Sequence, residues 1–132
     1  MDKQVIFNQF RIRQHLSTLF SDENHYFGIS RKDYERLSGQ HPFQALLVYE
    51  SITDIANFNR QLAKSIIAIS QHKPCSAILM IETHPLFLRV SDLSSIADAL
   101  EGSGVDRFQN GIAFNAQRQT VSANADLFIL FG

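Results

Sequence analysis

Two acidic residues, Glu50 and Glu82, have the types and positions that could support chemistry. Each closes an apolar run, FQALLVYE and SAILMIE respectively, and Thr83 and His84 follow the second run. If these runs are neighbouring parallel strands, both carboxylates lie at carboxyl ends, where open α/β sheets place their ligands. Such a pair could bind a divalent cation or act as general acid and base. We favour solvated strand ends, because two acids without a third ligand seldom make a site.

A serine cluster in the stretch FLRVSDLSSIADALEGSG is a second candidate site. Ser91 opens an apolar helical pattern and is predicted to be its N-cap, with Asp92 in the first turn. Ser94 and Ser95 would then be solvated residues near the start of the helix. The functional alternative is a phosphate acceptor or an anion site, because a phosphate there gains from the helix dipole and from Arg89.

Other residue types that carry chemistry lack the partners they need. No two of the five histidines have the spacing of a metal site; they are His15, His25, His41, His72 and His84. Cys75 has no C-x-x-C partner and is predicted to be a buried structural thiol. The sequence has no phosphate-binding glycine loop and no G-x-S-x-G motif. We therefore predict no catalytic residue, no metal and no cofactor.

The composition indicates a globular domain in a reducing compartment. The 132 residues are 45% hydrophobic and 19% charged, with a net charge of −1. Near-neutral charge predicts neither nucleic-acid nor membrane binding. The N-terminus lacks a signal-peptide pattern, and no apolar run is long enough to span a bilayer. Together with the single cysteine, these features predict a cytoplasmic protein.

Basic and aromatic residues alternate in the N-terminal third, as they do on nucleic-acid-binding surfaces. The basic residues are Arg11, Arg13, Arg31, Lys32 and Arg36, and the aromatic ones are Phe10, Tyr26, Phe27 and Tyr34. Acidic residues balance them at Asp22, Glu23, Asp33 and Glu35. We therefore predict a mixed, solvated face and no nucleic-acid partner.

The central part of the chain alternates between strand and helix patterns. Strands are predicted over 43–50, 76–82 and 111–116. The helix between the first two has Thr53 as its predicted N-cap, and its apolar residues recur every three or four positions: Ile55, Phe58, Leu62, Ile66 and Ile69. Strand, helix, strand, helix, strand predicts a single α/β domain with a small, at least partly parallel sheet and right-handed crossovers.

Both ends of the chain are more ambiguous, and residues 1–42 are predicted to be an N-terminal extension packed on the domain. Residues 3–20 are amphipathic as a helix with an apolar face at Ile6, Phe10, Leu16, Leu19 and Phe20. An edge strand is predicted over 25–30 and a helix over 30–39. The final segment, 122–132, fits a helix or a strand, and we favour the helix.

The order of elements over residues 43–116 resembles the small STAS-type fold of the anti-sigma-factor antagonists, which is related to the CRAL-TRIO domain. The features that carry the resemblance are a helix opened by T-D, a strand ending in ILMIE and the step VSDL opening the next helix. Stand-alone bacterial STAS/SpoIIAA-like proteins of unknown function are the nearest comparison. In the antagonists, a serine or threonine of a D-S-[ST]-G motif is phosphorylated at that helix. Here the matching region reads S-D-L-S-S-I, without the glycine.

The resemblance implies a non-enzymatic regulatory or protein-interaction module, and the lack of a complete catalytic constellation agrees with it. The partner would be another protein or a second copy of the chain, because the apolar N-terminal segment and LFILF could support a homodimer. Two alternatives remain open. One is a domain that binds a small apolar, lipid-like ligand. The other is an enzyme or metal site that uses Glu50 and Glu82.

Overall fold

A computed structural model describes residues 1–19, 27–28, 32, 43–70, 75–117 and 121–131. The elements in chain order are β1 (Asp2–Ile6), α1 (Gln9–Leu19), β2 (Ala45–Ile52), α2 (Ile55–Ser70), β3 (Cys75–Thr83), α3 (Val90–Glu101), β4 (Val105–Phe114) and β5 (Ala123–Phe131). The predicted helix over 30–39 apart from Lys32, and most of the predicted strand over 25–30, lie outside the described part. The side chains of Leu19 and Cys75 lie outside it as well. So do several residues named above: Phe20, Asp22, Glu23, His25, Tyr26, Arg31, Asp33, Tyr34, Glu35, Arg36, His41 and His72.

The strands form one five-stranded mixed sheet in the order β1-β2-β5-β3-β4. β3 and β4 pair in parallel, and the other three pairs are antiparallel. Because β5 is antiparallel to both β2 and β3, strands β2, β3 and β4 all run in one direction. The prediction of an α/β fold with an at least partly parallel sheet is confirmed.

Helices α2 and α3 cover one side of the sheet, which we call the first face. The predicted spacing of α2 is the reason: Phe58, Leu62 and Ile66 are fully buried against the strands, and Ile55 and Ile69 pack at the margin. On α3, Ile96 and Leu100 are likewise fully buried in the core of this face. An apolar stripe with a helical period can be buried only against another element, and here that element is the sheet.

Helix α1 packs on the opposite side of the sheet, the second face, through Ile12 and Leu16. The predicted apolar stripe of this segment is partly wrong. Ile6 belongs to β1, the edge strand of the sheet, and Phe10 is 68% exposed. The chain breaks from strand to helix at Phe7 and Asn8, and the Asn8 side chain accepts a hydrogen bond from the Arg11 amide at 3.2 Å. Asn is a favoured residue at such a helix start.

The helix predicted over 122–132 is wrong, because this segment forms β5, the central strand of the sheet. Leu127 and Ile129 are buried in the core of the first face, and Phe128 and Leu130 in that of the second. A strand buried on both faces needs a continuous apolar run, and such a run lacks the two-residue alternation that marks a strand in sequence.

Three predicted boundaries also move. β4 begins at Val105 and ends at Phe114, earlier than the predicted 111–116. Thr53 is not the cap of α2; the helix begins at Ile55, and the Asp54 side chain accepts the Asn57 amide at 3.2 Å. Asp is as good a cap as Thr, so the local sequence permitted either start.

In the described part of the chain, no helix has the length and apolar character needed to cross a bilayer.

Candidate functional site

The two predicted acids lie on one face of the sheet but not on neighbouring strands. β2 and β3 run in the same direction, so Glu50 and Glu82 do approach the same edge, as predicted. The expectation that the strands pair is wrong, because β5 lies between them. In the register, Glu82 lies opposite Asn124 of β5, and Glu50 lies opposite Asp2 of β1.

A bulge in β2 separates Glu50 from the regular ladder with β5. The register shifts between the pairs Tyr49–Ala125 and Ile52–Ala123, and Ser51 has a φ of 56°. The Ser51 amide donates to Asn124 Oδ1 at 3.1 Å. A non-glycine residue in the left-handed region costs about 1 kcal/mol, so the surrounding ladder must hold it there. Asn124 is thereby fixed between the strands that carry the two acids.

A third carboxylate, Asp126, lies on the same face and one pair deeper in the sheet. It is opposite Val48 on β2 and Met80 on β3, both buried. Its side chain is 23% exposed, and one carboxylate oxygen lies 4.0 Å from His15 Nδ1 of α1. The row of acids, defined here as Glu50, Asp126 and Glu82, therefore spans the three central strands.

The environment of Asp126 favours its neutral form. Burial raises the pKa of this carboxyl from 3.8 to about 6. The neighbouring imidazole of His15 opposes the rise in pKa, and the charges of Glu50 and Glu82 add to it. A carboxyl with such a pKa exchanges a proton near neutral pH, which Glu or Asp in water does not.

Asp126 and His15 open on a cleft beside α1 with a volume of about 790 Å³. The cleft is lined by Phe10, Arg13, Gln14, His15, Ser17, Thr18 and Asp126. Apart from Phe10 the lining residues are polar or charged, but apolar atoms form more of the cleft surface than polar atoms do. The alternative of a small apolar ligand stays a prediction.

The row of acids does not amount to a metal centre in the part of the chain that the structure describes. No three His, Cys, Asp or Glu side chains there are grouped so that they could hold a metal ion. His84, predicted to lie beside the acids, has a structural contact: its Nδ1 accepts the Leu86 amide at 3.1 Å and shapes the turn after β3. Chemistry at Glu50 and Glu82 stays a prediction.

The serine cluster lies inside α3 and not at its cap. The helix begins at Val90 with Arg89 as N-cap, and the Asp92 carboxylate accepts the Arg89 amide at 2.9 Å. The prediction of Ser91 as N-cap is therefore wrong, because the acid at the third helical position bonds back to the cap residue. Ser91 and Ser94 are exposed. The phosphate-acceptor hypothesis for them stays a prediction.

Ser95 has a partner that the sequence did not predict. Its hydroxyl oxygen accepts a hydrogen bond from Asn59 Nδ2 of α2 at 2.7 Å. The hydrogen bond joins the two helices that cover the first face. Among the three serines, Ser95 is thus the one that takes part in packing, and a phosphate there would have to break this contact.

Large apolar side chains are exposed where β3 and β4 end and β5 begins. Leu86 is 80% exposed, Val121 53% and Phe114 49%. Backbone hydrogen bonds join the segments that carry these side chains. The Asn115 amide donates to the Thr83 carbonyl oxygen at 2.8 Å, and the His84 amide donates to the Ser122 carbonyl oxygen at 3.3 Å. We call Leu86, Phe114 and Val121 the apolar rim. Scattered exposed apolar residues are ordinary, but these three lie on segments that adjoin at one edge of the sheet.

Sequence reasoning missed both Asp126 and the apolar rim. The signal for Asp126 was present, since it is the one charged residue in the run ADLFILF and a charge in such a run demands an explanation. The rim gave a weaker signal. Leu86 and Val121 are apolar residues in loops, and they come to the same edge of the sheet as Phe114 only because three strand ends meet there.

Fold and site together define a class: an α/β domain with a five-stranded mixed sheet, a row of acids on one face and an apolar rim at one edge. The chain matches no protein-family model, and the search of curated proteins finds no significant relative. Its likeness to STAS-type domains stays a prediction from the sequence.

Proposed function

We propose that the protein is a non-enzymatic, STAS-like protein-interaction module of the bacterial cytoplasm, and that the apolar rim is its contact surface. The observation that carries the proposal is the exposure of Leu86, Phe114 and Val121 on adjoining segments. Apolar area of this kind gains about 25 cal/mol for each Å² that a partner removes from water.

The location of the rim fits the family that the sequence resembles. Leu86 lies in the loop that leads into α3, and α3 begins at Val90, which is itself 82% exposed. In the anti-sigma-factor antagonists the phosphorylated residue lies at the N-terminus of the corresponding helix. If a partner of the rim also contacts the start of α3, a phosphate on Ser91 or Ser94 would oppose binding by its charge.

Site-specific photo-crosslinking in the native host tests the proposal. A photo-reactive amino acid replaces Leu86 or Val121 in separate variants, and replaces the exposed α3 residue Asp98 in a control variant. We expect a discrete crosslinked protein from both rim positions and not from Asp98. Crosslinks between two copies of the chain would identify the partner as the protein itself.

Binding by purified components completes the test. The identified partner should bind the wild-type protein, and Leu86→Ser combined with Val121→Ser should weaken binding at least about tenfold, because both side chains leave the interface. Asp98→Ser should leave the affinity unchanged. Equal crosslinking at all three positions, or undiminished binding by the double variant, would refute the proposal.

A further inference from the structure

We propose that Asp126 makes the docking of α1 on the second face sensitive to pH, and that proton uptake by its carboxyl strengthens this contact. The proposal is independent of the function assigned to the apolar rim. It rests on where the carboxyl lies, on the charges that face it and on the packing of the helix above it.

Asp126 lies in the surface on which α1 packs. Its neighbours along β5 on the same face, Phe128 and Leu130, belong to the apolar cluster that buries Ile12 and Leu16 of α1. Across the sheet it faces two apolar side chains, Val48 and Met80. A carboxylate in such a setting loses much of its hydration when α1 is docked, and this penalises only its charged form.

The charged groups of the described elements that face Asp126 do not offset the negative charge of its carboxylate. Glu50 approaches from β2 and Glu82 from β3, and both disfavour a third negative charge. From α1, His15 Nδ1 lies 4.0 Å away, and Arg13 lines the same cleft. A contact of 4.0 Å is too long for a hydrogen bond, so the imidazole offsets only part of the cost of the charge.

The direction of the pH effect follows from these terms. Burial in the folded domain raises the pKa of Asp126 from the ordinary value of 3.8 to about 6. Because α1 contributes to this burial, the docked state holds the proton more tightly than the detached state does. Below the lower value both states are protonated, and the contact has its full strength. As pH rises through this interval the detached state ionises first, and docking weakens until the docked carboxyl has ionised as well. Between pH 7.5 and pH 5 this linkage changes the docking equilibrium by up to about tenfold.

Hydrogen exchange followed by mass spectrometry measures the docking of α1 directly. We expect the protection factors of the α1 amides, corrected for intrinsic exchange, to be higher at pH 5 than at pH 7.5, by up to about tenfold. The amides of α2, on the other face, should change less. A pH-independent α1, or equal changes in α1 and α2, would overturn the proposal, since neither fits a local effect on this helix.

Two variants separate Asp126 from other titrating groups. Asp126→Asn keeps the shape but cannot ionise, so its α1 protection should stay high from pH 5 to pH 7.5. The matched control is Asp106→Asn, which changes an exposed Asp of β4 and should behave like the wild type. If Asp126→Asn retains the pH dependence of the wild type, another group is responsible and the proposal is wrong.

A direct titration keeps the proposal testable even if the Asp126 variant folds poorly. Carbon-detected NMR of the wild-type protein should show the Asp126 carboxyl titrating well above the ordinary range of Asp. A midpoint for Asp126 near 4 would remove the basis of the proposal.

Discussion

The start of α3 depends on a single carboxylate. Asp92 accepts the amide of Arg89 at 2.9 Å, which satisfies a donor that the helix itself leaves unpaired. Its negative charge also lies where the helix dipole favours it. Ser91, one residue earlier, is exposed and lies within the first turn, so its hydroxyl is not needed for capping. Two adjacent polar residues therefore differ in what they contribute to stability.

Replacement of these two residues by alanine should separate their contributions. Asp92→Ala should lower the free energy of unfolding by about 1 kcal/mol, because the amide of Arg89 loses its acceptor and the dipole loses its charge. Ser91→Ala should change the free energy of unfolding by less than about 0.5 kcal/mol, since alanine is the better helix former. Urea denaturation monitored by circular dichroism measures both. Equal losses for the two variants would contradict the assignment of the cap.

At the scale of elements, the connection from α3 to β4 is a tight turn with two glycines in different conformations. Gly102 has helical torsion angles, with φ at −64°, and closes α3 through its amide. Gly104 has a φ of +85°, and nothing lies within 4 Å of the place where its Cβ would be. The first position needs no special residue. The second demands glycine because of its backbone alone.

A pair of alanine substitutions tests this difference. Gly104→Ala should lower the free energy of unfolding by about 1 kcal/mol, because a side chain is strained in the left-handed region even with free space around it. Gly102→Ala, made as the control, should stay within about 0.5 kcal/mol of the wild type, since alanine accepts helical angles readily. Thermal and urea unfolding report both changes. A larger cost at Gly102 than at Gly104 would show that the turn is not built as described.

At the scale of the whole molecule, β5 joins two cores. Its side chains alternate between the cluster under α2 and α3 and the cluster under α1. It also carries the hydrogen bonds that connect β2 to β3. The strand nearest the end of the sequence is thus the one on which both layers depend, while the rim at its start remains exposed.

Alanine substitutions of two leucines should show the contrast between the buried central strand and the exposed rim. Leu127→Ala should lower the free energy of unfolding by about 2–5 kcal/mol, because Leu127 is fully buried in the central strand and its loss leaves a cavity. Leu86→Ala should cost less than about 0.5 kcal/mol, since Leu86 is exposed on the rim. Chemical denaturation of the two variants gives the comparison. A cost at Leu86 comparable with that at Leu127 would mean that the rim is part of the core.

The sequence alone determined the elements whose signals are local. The apolar patterns of α2 and α3 predicted two helices, and the apolar runs of β2 and β3 predicted two strands, each at about the right place. These predictions were possible because a helix face and a buried strand are recognisable from residues close together in the sequence. It also singled out Glu50 and Glu82, because each follows a recognisable strand.

Only the tertiary structure decided how the strands pair. A continuous apolar run such as LFILF fits a helix or a buried strand equally well. It forms a strand here because it pairs with both β2 and β3 in the centre of the sheet. That one placement separated Glu50 from Glu82, brought Asp126 between them and created the row of acids. Pairing and register depend on residues far apart in the chain, and no local pattern encodes them.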